Sequence, residues 1–389
     1  MLIIRKAIHI FRQASARDRS RRGRASILMA TLVLLCTIGT AQTWRTEVVD
    51  DGNGHDVGYF SSLAIDRQGG LHIAYFDSTA NELFYAFRST ADKQWSRMEV
   101  DKDGLYVTLA VDSAGRPHFA YNSTNLTGLH YAHWNGATWD KAIVDSDKTS
   151  YNTSIQVDAQ DHPKISYYVS EYTDDEHATQ LKYAYFDGKA WYIQTLDHRP
   201  RTGKMNWLAL DRQGNPHIAY SFFYGVKDLY YVWWDGNQWQ RRAPDTPGNT
   251  AYLGLGASDA LDSLGHPHIA YLDATKRILK YISQEGTRWI PEIVDNLAGV
   301  DVHDHVSLQI DNQDRPQIAY YDGGVLKYAV KETDGWHKEI VDHTGNVGFR
   351  PSLYLDAHGQ PYISYYDVSN RTLHLAYRSS GVATAALKK

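Results

Sequence analysis

Asp66-Arg67-Gln68-Gly69-Gly70-Leu71-His72-Ile73-Ala74-Tyr75 decides the fold, because the same phrase returns six more times. It reappears as Asp112 to Tyr121, Asp158 to Tyr167, Asp211 to Tyr220, Asp262 to Tyr271, Asp311 to Tyr320 and Asp356 to Tyr365. Each copy follows an alternating stretch such as Ser62-Leu63-Ala64-Ile65 and runs into another such as Ile73-Ala74-Tyr75-Phe76. Period-two alternation on both sides of an Asp-x-x-Gly turn predicts two strands joined as a hairpin.

Outward from this hairpin, a third strand follows, as in Leu83-Phe84-Tyr85-Ala86, Leu129 to Ala132, Leu181 to Ala184, Leu229 to Val232 and Leu326 to Ala329. A fourth opens with tryptophan, at Trp44, Trp95, Trp139, Trp191, Trp239, Trp289 and Trp336, and most copies continue into Val-Asp, as at Val49-Asp50, Val144-Asp145, Val294-Asp295 and Val341-Asp342. Units of roughly 45 to 53 residues, each with four antiparallel strands, describe an all-β, seven-bladed β-propeller. The repeat begins with a fourth strand, Trp44 to Asp50, and ends with a third, Leu373 to Tyr377. The first strand is therefore expected to complete the last blade, closing the ring and covering a sheet edge. An open solenoid would instead carry altered capping units at its ends. The propeller is assigned to residues 42–378 and a polar tail to 379–389.

Residues 1–41 differ from the rest. Arg5, Lys6, Arg12, Arg17, Arg19, Arg21, Arg22 and Arg24 stand against one acid, Asp18, and precede an apolar run from Ile27 to Ile38 and the small residues Gly39, Thr40 and Ala41. This is the pattern of a secretory signal peptide cleaved after Ala41, the apolar run being short for a membrane span of about 20 residues, with an uncleaved anchor as the alternative. The expectation is an exported protein, periplasmic or extracellular, without stable membrane insertion after cleavage. These eight basic residues and one acid carry +7 of a whole-chain charge of −5, leaving the remainder near −12. Such a surface repels nucleic acid and polyanionic glycans unless a local basic patch overrides it. Cys36 is the single cysteine, so no disulfide forms within one chain. A monomer is expected, with a glycan or a protein outside the cytoplasm as partner.

The turns Asn135-Gly-Ala-Thr-Trp139, Asp187-Gly-Lys-Ala-Trp191, Asp235-Gly-Asn-Gln-Trp239 and Asp334-Gly-Trp336 resemble the Asp-box turns of sialidase-like propellers. Both place an acid or Asn, a Gly and a Trp at the hairpin before a blade's outermost strand. Here the usual leading Ser is missing and the Asp sits one place closer to the Trp. The resemblance implies architecture. A sialidase of that family binds its acidic sugar with three arginines and uses a Tyr–Glu pair and an Asp, whereas only Arg350 is placed at the channel mouth here.

A residue present in every blade is explained by the blade. This covers the turn aspartates, the tryptophans, and His72, His118, His217 and His268, whose places are taken by Lys164, Gln317 and Tyr362 in the other copies. Function is expected where the copies disagree. Six residues before each turn aspartate stand Phe60, Tyr106, Asn152, Met205, Gly256, His305 and Arg350, near the top of each inner strand. With Tyr59, Tyr151, Trp207, His303 and Phe349 they are expected to line one axial mouth. Aromatic faces among a few polar groups suit a sugar ring or another flat polar ligand.

Phe60, Tyr106, Asn152, Trp207, His305 and Arg350 are thus the candidate ligand-binding residues of a non-catalytic recognition propeller. The alternative is a glycan-acting enzyme, a polysaccharide lyase or sialidase-like hydrolase, using His305, His303, Tyr106 and Arg350. No cofactor is required. A divalent metal is an option at His303 and His305, which share a face if the segment is extended, completed by Asp56 or His55. Asp101-Lys-Asp103-Gly104 and Asp51-Gly-Asn53-Gly-His-Asp56 have calcium-like oxygen spacing, though neither completes a known loop. His198, Arg199, Arg201 and Lys204 are read as solvated loop charges, with local attraction of an anionic ligand as the alternative.

Overall fold

A computed structural model describes residues 43–125, 127–148, 150–170, 179–199, 202–222, 229–245, 253–299 and 305–379. The expected signal peptide, residues 380–389 of the tail, and His303 lie outside the described residues. The described residues form seven four-stranded antiparallel sheets. Blade 1 runs from its inner strand Val57–Ile65 through Leu71–Asp77 and Glu82–Arg88 to its outer strand Ser96–Asp101, and blades 2 to 6 repeat this order. Blade 7 takes Val347–Leu355, Pro361–Asp367 and Thr372–Ser379, with Thr43–Asp50 as its outermost strand. Thr43 lies opposite Ser379 and Asp50 opposite Leu373, so the first strand closes the ring as the ends of the repeat predict.

The repeated phrase works as a set of fastenings. The turn carboxylate Asp66 accepts hydrogen bonds from the backbone N–H groups of Gln68 and Gly70 at 2.8 and 2.7 Å, and every other blade repeats the arrangement. An aspartate that satisfies its own turn fixes a tight hairpin, which is why this residue recurs. The terminal tyrosine of the phrase reaches across the seam between blades. Tyr121, Tyr167, Tyr220, Tyr271, Tyr320 and Tyr365 donate to Asp101, Asp145, Asp197, Asp245, Asp295 and Asp342, the aspartates that end the outer strand of the preceding blade. Tyr75 donates to Asp50 at 2.6 Å across the closing seam. The seam between blades 7 and 1 is therefore chemically the same as the other six.

Tryptophans add a second, apolar fastening. Trp44, Trp139, Trp191, Trp239, Trp289 and Trp336 each meet a third-strand tyrosine of the preceding blade edge-on, with centroids 5.1 to 5.7 Å apart. This is the geometry in which aromatic pairs are most favourable.

The recurrent histidines belong to the same scaffold. His72 and His118 pair through Nδ1 with Tyr85 and Tyr131 at 2.7 and 2.6 Å, and His217 and His268 pair likewise with Tyr231 and Tyr281. Gln317 reproduces the contact in blade 6, accepting from Tyr328 at 2.5 Å and donating to the turn carboxylate of Asp311 at 3.1 Å. Burial pushes the His118 and His217 imidazoles down to about 4, so they are neutral at pH 7.

Candidate functional site

Six of the seven inner strands are irregular at the same place. Pairing with the second strand shifts between Tyr59 and Ser62 in blade 1, and between Leu105 and Thr108, Tyr151 and Ser154, Lys204 and Trp207, Leu255 and Ser258, and Phe349 and Ser352 in the blades that follow. Within these bulges Phe60, Tyr106, Asn152, Met205, Gly256 and Arg350 adopt left-handed backbone, with φ between 46° and 59°. For a residue other than glycine this costs about 1–3 kcal/mol and persists only where the surroundings impose it. Six repetitions with six different side chains make the bulge a property of the blade and leave the side chain free to vary.

The bulge brings unlike side chains together. Phe60, Tyr106, Asn152, Met205, His305 and Arg350 line one cavity, joined by Trp207, Asn206 and Ala257. All six candidate ligand-binding residues converge there. Gly256 contributes no side chain, and its N–H donates to the Met205 sulfur at 3.1 Å. The cavity, about 70 Å³, holds a few waters or one projecting substituent, so a ligand larger than that would rest on the mouth.

Tyr59, Tyr151 and Phe349 do not line the cavity, contrary to the sequence expectation. They form an aromatic layer around it: Tyr59 lies 4.8 Å from Phe60 and 5.7 Å from Phe349, and Tyr151 lies 5.8 Å from Tyr106. Successive residues of a strand face opposite ways, so the residue before the bulge turns from the axis as the bulged residue turns toward it.

Arg350 dominates the electrostatics. Its guanidinium carbon stands 4.2 Å from the Phe60 ring centroid, 5.6 Å from Tyr59 and 5.7 Å from Phe349, a three-sided cation–π seat. Burial raises the Tyr106 hydroxyl above its ordinary value, against an opposing effect of the Arg350 charge, so the phenol is protonated at neutral pH. Burial lowers the Lys204 ammonium, and the positive Arg350 lowers it further. The positive charge of Arg350 thus acts on a second, partly buried cation, Lys204. Sequence reading grouped Lys204 with loop charges, because nothing local shows that the ring brings it toward residue 350.

Asn206 is a residue the sequence did not single out. It donates to the Asn152 carbonyl at 2.7 Å and accepts from Ser166 at 2.6 Å, tying the blade 3 bulge to blade 4.

Of the proposed metal set, His305 lines the cavity and His303 lies outside the described residues. Asp56 does not line the cavity, and its carboxylate accepts from Tyr366 at 2.7 Å. His55 pairs with Asp77 at 2.7 Å instead. No group of three His, Cys, Asp or Glu suited to a metal occurs among the described residues. In the calcium-like segments, Asp51 caps Asn53, Asp101 accepts from Tyr121, and Asp103 accepts from Thr124 N–H at 2.5 Å, so these carboxylates serve local structure. Arg199 is paired with Asp197 at 2.6 Å and lies 4.4 Å from the Tyr230 ring.

No protein-family model matches the chain, and no curated protein matches it. Solved structures do. An ulvan lyase of a new polysaccharide lyase family, PL25, bound to -[GlcA(1-4)Rha3S]-, matches with TM-score 0.62 at 13% identity, over 82% of this chain and 94% of that one. The polysaccharide lyase Uly1 matches with TM-score 0.56 at 9% identity, over 82% and 90%. A lectin of Aleuria aurantia in complex with Fucalpha1-6GlcNAc matches with TM-score 0.51 at 13% identity, over 74% and 98%. At these identities the likeness is one of fold.

Proposed function

We propose that the protein is an exported, non-catalytic recognition propeller that binds a carbohydrate at one axial site, with a sugar ring against Phe60 and Trp207 and an anionic substituent toward Arg350. The observation that carries this reading is the convergence of six unlike side chains on one cavity, in a ring whose other conspicuous residues are fastened to the scaffold. Aromatic faces stack on the apolar face of a pyranose, and a guanidinium pairs with a carboxylate in bidentate fashion. Propellers of similar fold that bind or cleave glycans support it. Seven identical sites, one per blade, would require the same groups in every copy, and the mouth lacks that sameness.

Calorimetric titration with an oligosaccharide alternating glucuronate and a neutral sugar, and with its carboxyl-reduced form, tests the proposal. Arg350→Ala should weaken binding of the charged form by about tenfold or more while leaving the reduced form nearly unchanged. Absence of binding by the unaltered protein, or indifference of the charged form to Arg350→Ala, refutes it.

A second reading has one observation in its favour, that Tyr106, His305 and Arg350 line the same cavity. In a glycan lyase, His305 with Tyr106 would take the proton beside a sugar carboxylate and return one to the departing oxygen as the double bond forms, while Arg350 neutralises the carboxylate. Ultraviolet absorbance of an unsaturated uronate would establish this reading. Intact binding without that product rejects it.

A further inference from the structure

The inner strand of each blade is a sheet edge, and the ring satisfies part of its backbone across the seams. The N–H groups of Leu109, Leu208, Leu308, Leu353 and Leu63 donate to the hydroxyls of Ser62, Ser154, Ser258, Ser307 and Ser352 in the preceding blades, at 2.9 to 3.1 Å. Five seams are built this way. At the seam between blades 2 and 3 the serine place holds Thr108, whose hydroxyl lies 3.2 Å from that of Thr153. At the seam between blades 4 and 5 it holds Trp207, which has no acceptor to offer.

Across that same seam the facing residue also changes. Leu63, Leu109, Ile155, Leu208, Leu308 and Leu353 fill this core place in six blades, and blade 5 has Asp259. Asp259 is 2% exposed, and neither carboxyl oxygen has a hydrogen-bond partner among the described residues. The backbone N–H groups of Ala219 and of Asp259 itself are the nearest to it but make no hydrogen bond with it, and its neighbour Tyr231 is buried. An unsatisfied buried carboxyl destabilises a fold. Six blades do without one, so the scaffold does not require it.

The two exceptions explain one another. With no serine at position 207, the N–H of residue 259 lacks the seam hydroxyl that its counterparts use, and residue 259 is also where a carboxyl stands in place of the core leucine. What the exchange provides is an indole at the axial mouth, where Trp207 lines the cavity. At the neighbouring blade, Gly256 and Ala257 stand at the places filled elsewhere by pairs such as Phe60 with Ser61 and Asn152 with Thr153, and the Met205 sulfur accepts from Gly256 N–H at 3.1 Å.

We propose that Trp207 is the specificity-determining platform of the axial site, and that Asp259 is the structural compensation for the seam serine it replaced. This rests on the axial reading above for its ligand, but the coupling of the two residues does not.

The test is a double-mutant cycle with Trp207→Ser, Asp259→Leu and the double variant, read by thermal melting and by titration with the two oligosaccharides. Restoring both members recreates the seam of the other blades, so the double variant should melt above the sum of the single shifts by roughly 2 °C. Binding should fall at least about tenfold in Trp207→Ser for the charged and the reduced sugar alike, since stacking is blind to charge. Trp207→Phe should restore most of it, and Asp259→Leu should bind within about twofold of the unaltered protein. Additive melting shifts overturn the coupling. Undiminished binding by Trp207→Ser overturns the platform. If the unaltered protein binds neither sugar, the platform falls with the axial reading, while the melting cycle still decides the coupling.

Discussion

Replacing Tyr365 with phenylalanine removes one hydroxyl at the seam between blades 6 and 7, and the neighbouring seam supplies the control. Tyr365 donates to Asp342 Oδ2 at 2.6 Å, while Oδ1 is held by Thr344 through its N–H and hydroxyl at 3.0 and 2.8 Å. No lysine or arginine pairs with Asp342 among the described residues. Tyr320 makes the equivalent bond to Asp295 at 2.8 Å, but Asp295 also pairs with Lys327 at 3.3 Å and Lys338 at 2.8 Å. Both carboxylates are buried, at 4% and 9% exposure, so water does not replace a lost donor at either. A hydrogen bond to a charged group contributes about 1.5–3 kcal/mol, and stripping the last donor from a buried carboxylate oxygen lies at the upper end. Tyr365→Phe should therefore lose about 2–3 kcal/mol and Tyr320→Phe, with its lysines left in place, about 1 kcal/mol.

Equilibrium urea unfolding of both variants at neutral pH measures the difference, and pH dependence checks its origin. Burial pushes the Asp342 carboxyl up, and the Tyr365 and Thr344 donors more than reverse this, holding it below 3.8. A carboxyl depressed in the folded state contributes stability that is present above the unfolded value and lost as the pH falls through the folded one. The gap between the unaltered protein and Tyr365→Phe should therefore close as the pH drops to about 2. Equal losses for the two variants, or a gap undiminished in acid, refute the latch as a charge-assisted bond.

Asp259 should act with the opposite sign: burial raises its carboxyl well above 3.8, so folding retains its proton, and stability falls as the pH rises from 3.8 toward the folded value. Asp259→Asn should remove that slope, up to about 1.4 kcal/mol per pH unit, in melting curves taken across this range. His118→Ala should cost about 1–3 kcal/mol in urea unfolding, by leaving the buried Tyr131 hydroxyl unpaired, yet bind the glucuronate oligosaccharide within about twofold; lost binding would place function in the scaffold. Removing Thr43–Asp50 exposes the edge of Thr372–Ser379 and should yield oligomers or aggregates on gel filtration, whereas an unchanged monomer would show that the closing strand is dispensable.

The blade, its number and the closure of the ring were legible in the sequence, because alternation, turn chemistry and the Trp and Asp markers are local and are repeated seven times. Repetition also separated the histidines of the scaffold from the unlike residues Phe60, Tyr106, Asn152, His305 and Arg350. What the sequence misplaced or missed depends on contacts between blades. Tyr59, Tyr151 and Phe349 were expected at the mouth, but a one-residue bulge reverses which neighbour faces the axis, and alternation does not announce a bulge. The partnership of Tyr75 with Asp50, the approach of Lys204 to Arg350 and the facing of Trp207 with Asp259 join residues of different blades. The ring's curvature, which no single blade encodes, brings them together, and only the tertiary structure shows which exception at one seam answers which exception at its neighbour.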